Sequence, residues 1–106
     1  MMTEITGGNL SYDEVHSRIK ALFKAKNADY TGGDVDDELI NFVNSSKMAG
    51  VTLPQGLFVR LLDKVSRIST YFRNGEYTLQ EEKVTTEAED LANYAIFLAM
   101  ALSRNE

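Results

Sequence analysis

The sequence predicts an all-α protein folded as a small four-helix bundle. Apolar residues recur three and four positions apart along four separate stretches, the spacing of one helix face. Glycine-containing or charged breaks divide those stretches, and no segment keeps the strict apolar–polar alternation of a strand. At 106 residues the chain is one domain, and short connections between four helices suit a bundle.

Residues 1–10 are small and polar, include Gly7 and Gly8, and predict a flexible lead to a single helical domain over 11–106. Ser11 with Glu14 forms a capping box. Behind it Tyr12, Val15, Ile19, Leu22 and Phe23 predict a first helix over about Tyr12 to Lys26. Asn27 to Asp34 breaks the pattern, with Gly32-Gly33 expected at a turn. Asp34 is placed to cap a second helix from about Val35 to Met48, with Asp36, Asp37 and Glu38 suiting the helix dipole and Gly50 as terminator. Leu39, Ile40 and Val43 form its apolar side.

Pro54, the sole proline, fits the first turn of a third helix, where a missing N–H costs nothing. Leu57, Leu61, Val65, Ile68 and Phe72 are its expected buried stripe, widened by Phe58 and Leu62, and Asn74-Gly75 ends it. A charged loop runs over Gly75 to Lys83. Thr86 with Glu89 reads as a second capping box, opening a fourth helix to about Ser103. Leu91, Ala92, Ala95, Ile96, Ala99 and Leu102 are expected to pack it. Small residues at 92, 95, 99 and 101 would admit another helix closely, including one from a second subunit.

Composition narrows the function. Hydrophobic content of 43% and charged content of 25% are ordinary for a globular domain. The net charge of −5 argues against general nucleic-acid binding, while leaving room for a local basic pocket. With no cysteine, thiolate catalysis and cysteine-ligated metals are excluded. Residues 1–8 lack a basic segment followed by an apolar core, and the longest apolar run, Tyr94 to Leu102, is too short to span a bilayer. A soluble, cytoplasmic protein is expected, with no membrane partner.

Two constellations can carry chemistry. On the third helix Arg60, Asp63, Lys64, Arg67 and Tyr71 share one side beside the apolar stripe. Arg grips phosphate with two prongs and Lys acts as a point charge, so this edge suits a phosphate. The alternative is an Asp63–Arg67 surface pair worth a few tenths of a kcal/mol. On the fourth helix Glu87, Asp90 and Tyr94 share a side, with Asn93 next to it. Glu87 and Asp90 are spaced to hold one Mg²⁺, which takes oxygen ligands and could activate a water. The alternative makes them dipole-stabilising acids bridged to Arg67 or Lys64. Asn93 lies within an apolar run and needs a partner for its amide. Lys26 and Asp29 form the lip of a possible pocket near the first turn, with Tyr30 able to stack on a base; each is equally explained by helix-end and turn preferences. His16 has no partner in sequence, and no Gly-rich phosphate loop occurs.

The runs Lys26-Asn27-Ala28-Asp29-Tyr30, Leu62 to Ile68 and Glu87 to Ala95 resemble the nucleotide-modification-associated helical domain of phages and prophages, over roughly Leu22 to Leu102. That domain is similar to the MazG-like, all-helical nucleoside triphosphate pyrophosphohydrolases. The resemblance implies a MazG-like bundle that forms dimers or tetramers and binds a nucleotide. Phosphate would be held by Lys64 and Arg67, and Mg²⁺ by Glu87 and Asp90, which would also be catalytic. Lys26, Asp29, Tyr30, Asn93 and Tyr94 would complete the nucleotide site. Glu87 and Asp90 match the family's second acidic motif, Glu-x-x-Asp. The first, Glu-x-x-Glu, is replaced by Asp63, Lys64 and Arg67, and Glu81 and Glu82 lie in the loop. The departure favours binding over hydrolysis, so the alternatives are a non-catalytic nucleotide-sequestering protein, of the kind a phage could use against host defence, and a helical interaction module without ligand.

Overall fold

The computed structural model describes residues 9–31, 37–75 and 84–104, with side chains for all of these except 28–31. Four helices are present in chain order: α1 (Tyr12–Thr31), α2 (Ile40–Ala49), α3 (Leu53–Asn74) and α4 (Val84–Ser103). No strand occurs among the described residues. The all-α, four-helix expectation therefore holds.

Local chemistry explains the boundaries. Ser11 and Glu14 form the predicted reciprocal cap, Glu14 N–H donating to Ser11 Oγ at 3.1 Å and Ser11 N–H to Glu14 Oε1 at 2.9 Å. α1 then runs to Thr31, past the expected stop at Lys26. Residues 27–31 contain no glycine or proline to break it, so Lys26 and Asn27 lie on the helix and not in a turn. Gly32-Gly33, Asp34, Val35 and Asp36 lie outside the described residues, as do 1–8 and the loop residues 76–83 with Glu81 and Glu82.

α2 starts later than expected, at Ile40, so Asp37 and Glu38 precede it. Asp37 instead accepts the Leu39 N–H at 2.8 Å and grips Arg104 through both carboxylate oxygens, at 2.6 and 3.1 Å. This ties the end of α4 to the start of α2. Gly50 terminates α2 in the left-handed conformation at φ 74°. Thr52 caps α3 in a second reciprocal box with Gln55, and Pro54 sits in its first turn. At Gly56 α2 and α3 approach closely: a Cβ there would collide with the Ser46 side chain.

α4 begins at Val84, so Thr86 lies within the helix and the Thr86–Glu89 capping box does not form. Glu89 turns inward, only 7% exposed, and its carboxylate meets Arg18 at 3.2 Å.

The core is Leu39, Leu57, Phe97 and Ala101, flanked by Phe23, Phe42, Leu53, Tyr94, Leu98 and Met100. α3 and α4 make the principal packing, with α1 against α4 and α2 against α3. Lys64 meets Glu87 and Asp90 while Leu57 joins Phe97 and Ala101, so α3 and α4 run antiparallel. The expected stripes need correction. On α3 only Leu57 is buried and Leu61 and Ile68 half-buried; Phe58, Leu62, Val65 and Phe72 face outward. On α4 Leu91 and Ala92 are half-buried, whereas Ala95, Ile96, Ala99 and Leu102 are exposed. Both helices carry apolar residues on two faces, and spacing alone does not choose between them.

Candidate functional site

α4 presents Asp90, Asn93, Tyr94 and Phe97 on one side because they stand three and four apart. α1 brings Leu22, Phe23, Lys26 and Asn27 to the same place by the same spacing; α2 contributes Asn41 and Phe42, and α3 Arg60. Together these enclose a cleft of about 180 Å³ reached from all four helices.

Its apolar wall is a ring cluster. Phe97 packs on Phe23 at 4.9 Å between ring centres, on Phe42 at 5.3 Å and on Tyr94 at 5.7 Å, the last edge-to-face. Phe42 also meets Tyr94 edge-to-face at 6.0 Å. Offset and perpendicular pairs of this kind fix ring positions and leave a flat, polarisable surface. The polar groups are three amides, two cations and one carboxylate, that of Asp90. Asn93 is 8% exposed and donates from Nδ2 to the Ile19 carbonyl at 3.0 Å, the partner its burial demands. Arg60 lies over the Phe42 ring with its guanidinium carbon 5.5 Å from the centre, and among the described residues no carboxylate pairs with it. Lys26 is half exposed and stands 3.8 Å from Asp90, at the outer limit of an ion pair.

Behind Asp90 lies a compact charge cluster. Lys64 Nζ reaches Glu87 Oε1 and Asp90 Oδ2, each at 3.2 Å, and Arg67 Nη1 reaches Glu87 Oε2 at 3.5 Å. Arg67 Nε also donates to Asp63 at 3.2 Å on the exposed side. Glu87 is only 2% exposed. Burial would lower the Lys64 ammonium pKa; its hydrogen bonds to Asp90 and Glu87 outweigh burial and hold it above the ordinary lysine value. Lys64 and Arg67 thus face the acids directly.

That geometry bears on Mg²⁺. Glu87 and Asp90 share one ammonium, and Glu87 takes a guanidinium as well. Among the described residues no three His, Cys, Asp or Glu side chains gather as metal ligands. The donor set suits an ion-pair cluster, and a cation would have to displace Lys64 to reach both carboxylates.

The expected site residues divide accordingly. Lys26, Asp90, Asn93 and Tyr94 line the cleft, joined by Asn27. Lys64, Arg67 and Glu87 form the cluster that borders it through Asp90. Asp29 and Tyr30 are on α1, with side chains outside the described residues. Arg60 shares the predicted basic side of α3 but points to Phe42 and not to the acids. Asn41, Phe42, Phe23 and Phe97 escaped notice as site residues. The available signal was asparagine at interior helix positions, Asn27 and Asn93, where amides are disfavoured unless they have a partner; Asn41, in the first turn of α2, gave none. His16 stacks on Tyr12 at the exposed start of α1, away from the cleft.

No helix among the described residues is long and apolar enough to cross a membrane. Comparison with protein-family models, with curated proteins and with solved structures finds no match for this chain.

Proposed function

We propose that this protein binds a nucleotide in the four-helix cleft and releases it chemically unchanged. One observation carries the reading: an aromatic wall, three amides, two cations and the Asp90 carboxylate converge on a single cleft, and the cations outnumber the acid. Its volume, about 180 Å³, falls below the roughly 300–1,000 Å³ of ordinary small-molecule pockets, so it takes part of a ligand. A heterocyclic base fits such a space, stacked on Tyr94 and Phe42 and hydrogen-bonded by Asn27, Asn41 or Asn93. The sugar and phosphates then lie at the mouth, near Lys26 and Arg60. Lys64 and Arg67 act indirectly, by fixing Asp90 at the cleft edge. The Glu87–Asp90 acids serve this arrangement as partners of cations, which is why binding is favoured over Mg²⁺-dependent hydrolysis.

Thermal melting and calorimetry with common ribo- and deoxynucleotides, linear and cyclic, test this with and without Mg²⁺. Saturable stabilisation that is insensitive to Mg²⁺, with the ligand recovered intact by chromatography, is expected. Arg60→Ala should weaken binding about tenfold, the loss of one charge-assisted contact. Release of pyrophosphate would move the reading to the hydrolase. Absence of binding by every nucleotide at millimolar concentration would remove it.

A further inference from the structure

Two oxygens on α4 face the cleft with lone pairs to spare. Asn93 is 8% exposed, and its Nδ2 donates to the Ile19 carbonyl at 3.0 Å. A carbonyl oxygen can only accept, so the orientation of this amide is settled. Its Oδ1 is the end left to the cleft, and among the described residues nothing donates to it. Asp90 repeats the arrangement. Its Oδ2 is taken by Lys64 at 3.2 Å, while Oδ1 stands 3.8 Å from the Lys26 ammonium, beyond hydrogen-bond length. Asp90 and Asn93 are three apart on α4, so the two oxygens share a side, on side chains whose Cβ atoms lie about 5–6 Å apart.

These oxygens set what the cleft accepts. A ligand that seals them from water must bring donors, or leave desolvated acceptors unpaired at a cost. The other polar groups are less demanding. Lys26 and Arg60 are exposed and Asn41 is half-buried, so each can turn to water when the ligand offers it nothing. Selection therefore rests with the two oxygens of α4.

We infer that the cleft selects guanine among the common bases, an inference that rests on the nucleotide reading above. Guanine alone sets donors side by side on its pairing edge, the ring N1–H next to the N2 amino group. The N1–H and one amino hydrogen go to the Asp90 carboxylate, and the second amino hydrogen goes to Asn93 Oδ1. Adenine and cytosine also carry an amino group, but the adjacent ring nitrogen is an acceptor and would set its lone pair against the carboxylate. Uracil has a single N–H between two carbonyl oxygens. The Asn93 nitrogen, held by Ile19, cannot supply the donor that adenine N1 needs. Guanine O6 is an acceptor and suits the cations or the Asn41 amide. Lys64 is a positioning residue here: it holds Asp90 by Oδ2 and leaves Oδ1 to the base.

Calorimetric titration of the full chain with the 5′-triphosphates of guanosine, adenosine, cytidine and uridine, without Mg²⁺, decides the matter. The guanosine nucleotide should bind at least about 20-fold tighter than the other three. Inosine triphosphate keeps O6 and N1–H but lacks the amino group, and should fall about tenfold below guanosine triphosphate. The 7-deazaguanosine nucleotide keeps the whole donor edge and should match guanosine. Asp90→Asn should weaken guanosine triphosphate about tenfold and leave adenosine triphosphate no weaker, with circular dichroism checking helix content. If that variant fails to fold, the inosine and 7-deaza comparison on the parent protein decides. Adenosine bound as tightly as guanosine overturns the inference and leaves the nucleotide reading standing. So does inosine equal to guanosine, or a guanine preference that survives Asp90→Asn. Binding of none of these nucleotides removes both.

Discussion

Lys64→Met tests most sharply whether the charge cluster is a structural joint between α3 and α4. The lysine side chain is 18% exposed, and its principal partner Glu87 only 2%. Removing one member of a buried ion pair costs about 3–5 kcal/mol when the other charge is left alone. Glu87 would keep Arg67 at 3.5 Å, and Asp90 would keep Lys26 at 3.8 Å, so neither is abandoned. The cost should therefore fall at or below the bottom of that range, about 2–3 kcal/mol, or roughly a 10–20 °C fall in Tm for a domain of this size. Urea unfolding followed by circular dichroism measures it. Asp63→Asn, which removes the exposed i,i+4 partner of Arg67, should change stability by less than about 0.5 kcal/mol. Combining Lys64→Met with Glu87→Leu should recover most of the loss, because the stranded carboxylate goes too. A Lys64→Met protein as stable as the parent, or more so, would refute the structural reasoning. It would mark these charges as held at a cost for something other than folding.

Stability should be lost at both ends of the pH range. Arg104, and then the Leu39 N–H, hold the Asp37 carboxyl below its ordinary 3.8. A depressed folded pKa gives stability that is complete above 3.8 and disappears as pH falls through the folded value, so the parent's advantage over Asp37→Asn should vanish there. Lys64 has a raised folded pKa, so its contribution is complete below 10.5 and is lost as pH rises through the folded value; Lys64→Met should lack that alkaline fall. Denaturation midpoints across pH check both. Asn93→Ala removes the buried bond to the Ile19 carbonyl and should cost about 1–2 kcal/mol. Asn93→Asp should cost more, since it loses the donor and buries a carboxylate; the same urea melts rank the pair.

Helix number and part of the capping chemistry were legible because they depend on local signals, although the Thr52–Gln55 box was not anticipated. Ser11 with Glu14, Pro54, Gly50 and Gly75 all act within a few residues of themselves. The face each helix buries was not legible. α3 has leucine, isoleucine, valine or phenylalanine on two sides, and α4 places acids inward and alanines outward, against ordinary amphipathic logic. The choice is made by partners far apart in sequence. Glu87 turns in because Lys64 and Arg67 await it, and Glu89 because Arg18 does. The Thr86–Glu89 spacing satisfied the capping rule, but the tertiary pair with Arg18 took Glu89 instead. The cleft was half legible: Lys26, Asp90, Asn93 and Tyr94 were picked out in sequence, whereas Asn41 and Phe42 acquire meaning only when α2 folds across them.

The central claim is that a nucleotide occupies the cleft among the four helices. The most direct measurement is a nuclear magnetic resonance titration of isotope-labelled protein, reading backbone and asparagine side-chain amides together. The account predicts saturable shifts concentrated at residues lining the cleft, with the Asn41 and Asn93 side-chain amides and the backbone amides of Phe42 and Tyr94 among them. Spectra unmoved by millimolar nucleotide, or shifts gathered on another surface, would contradict it.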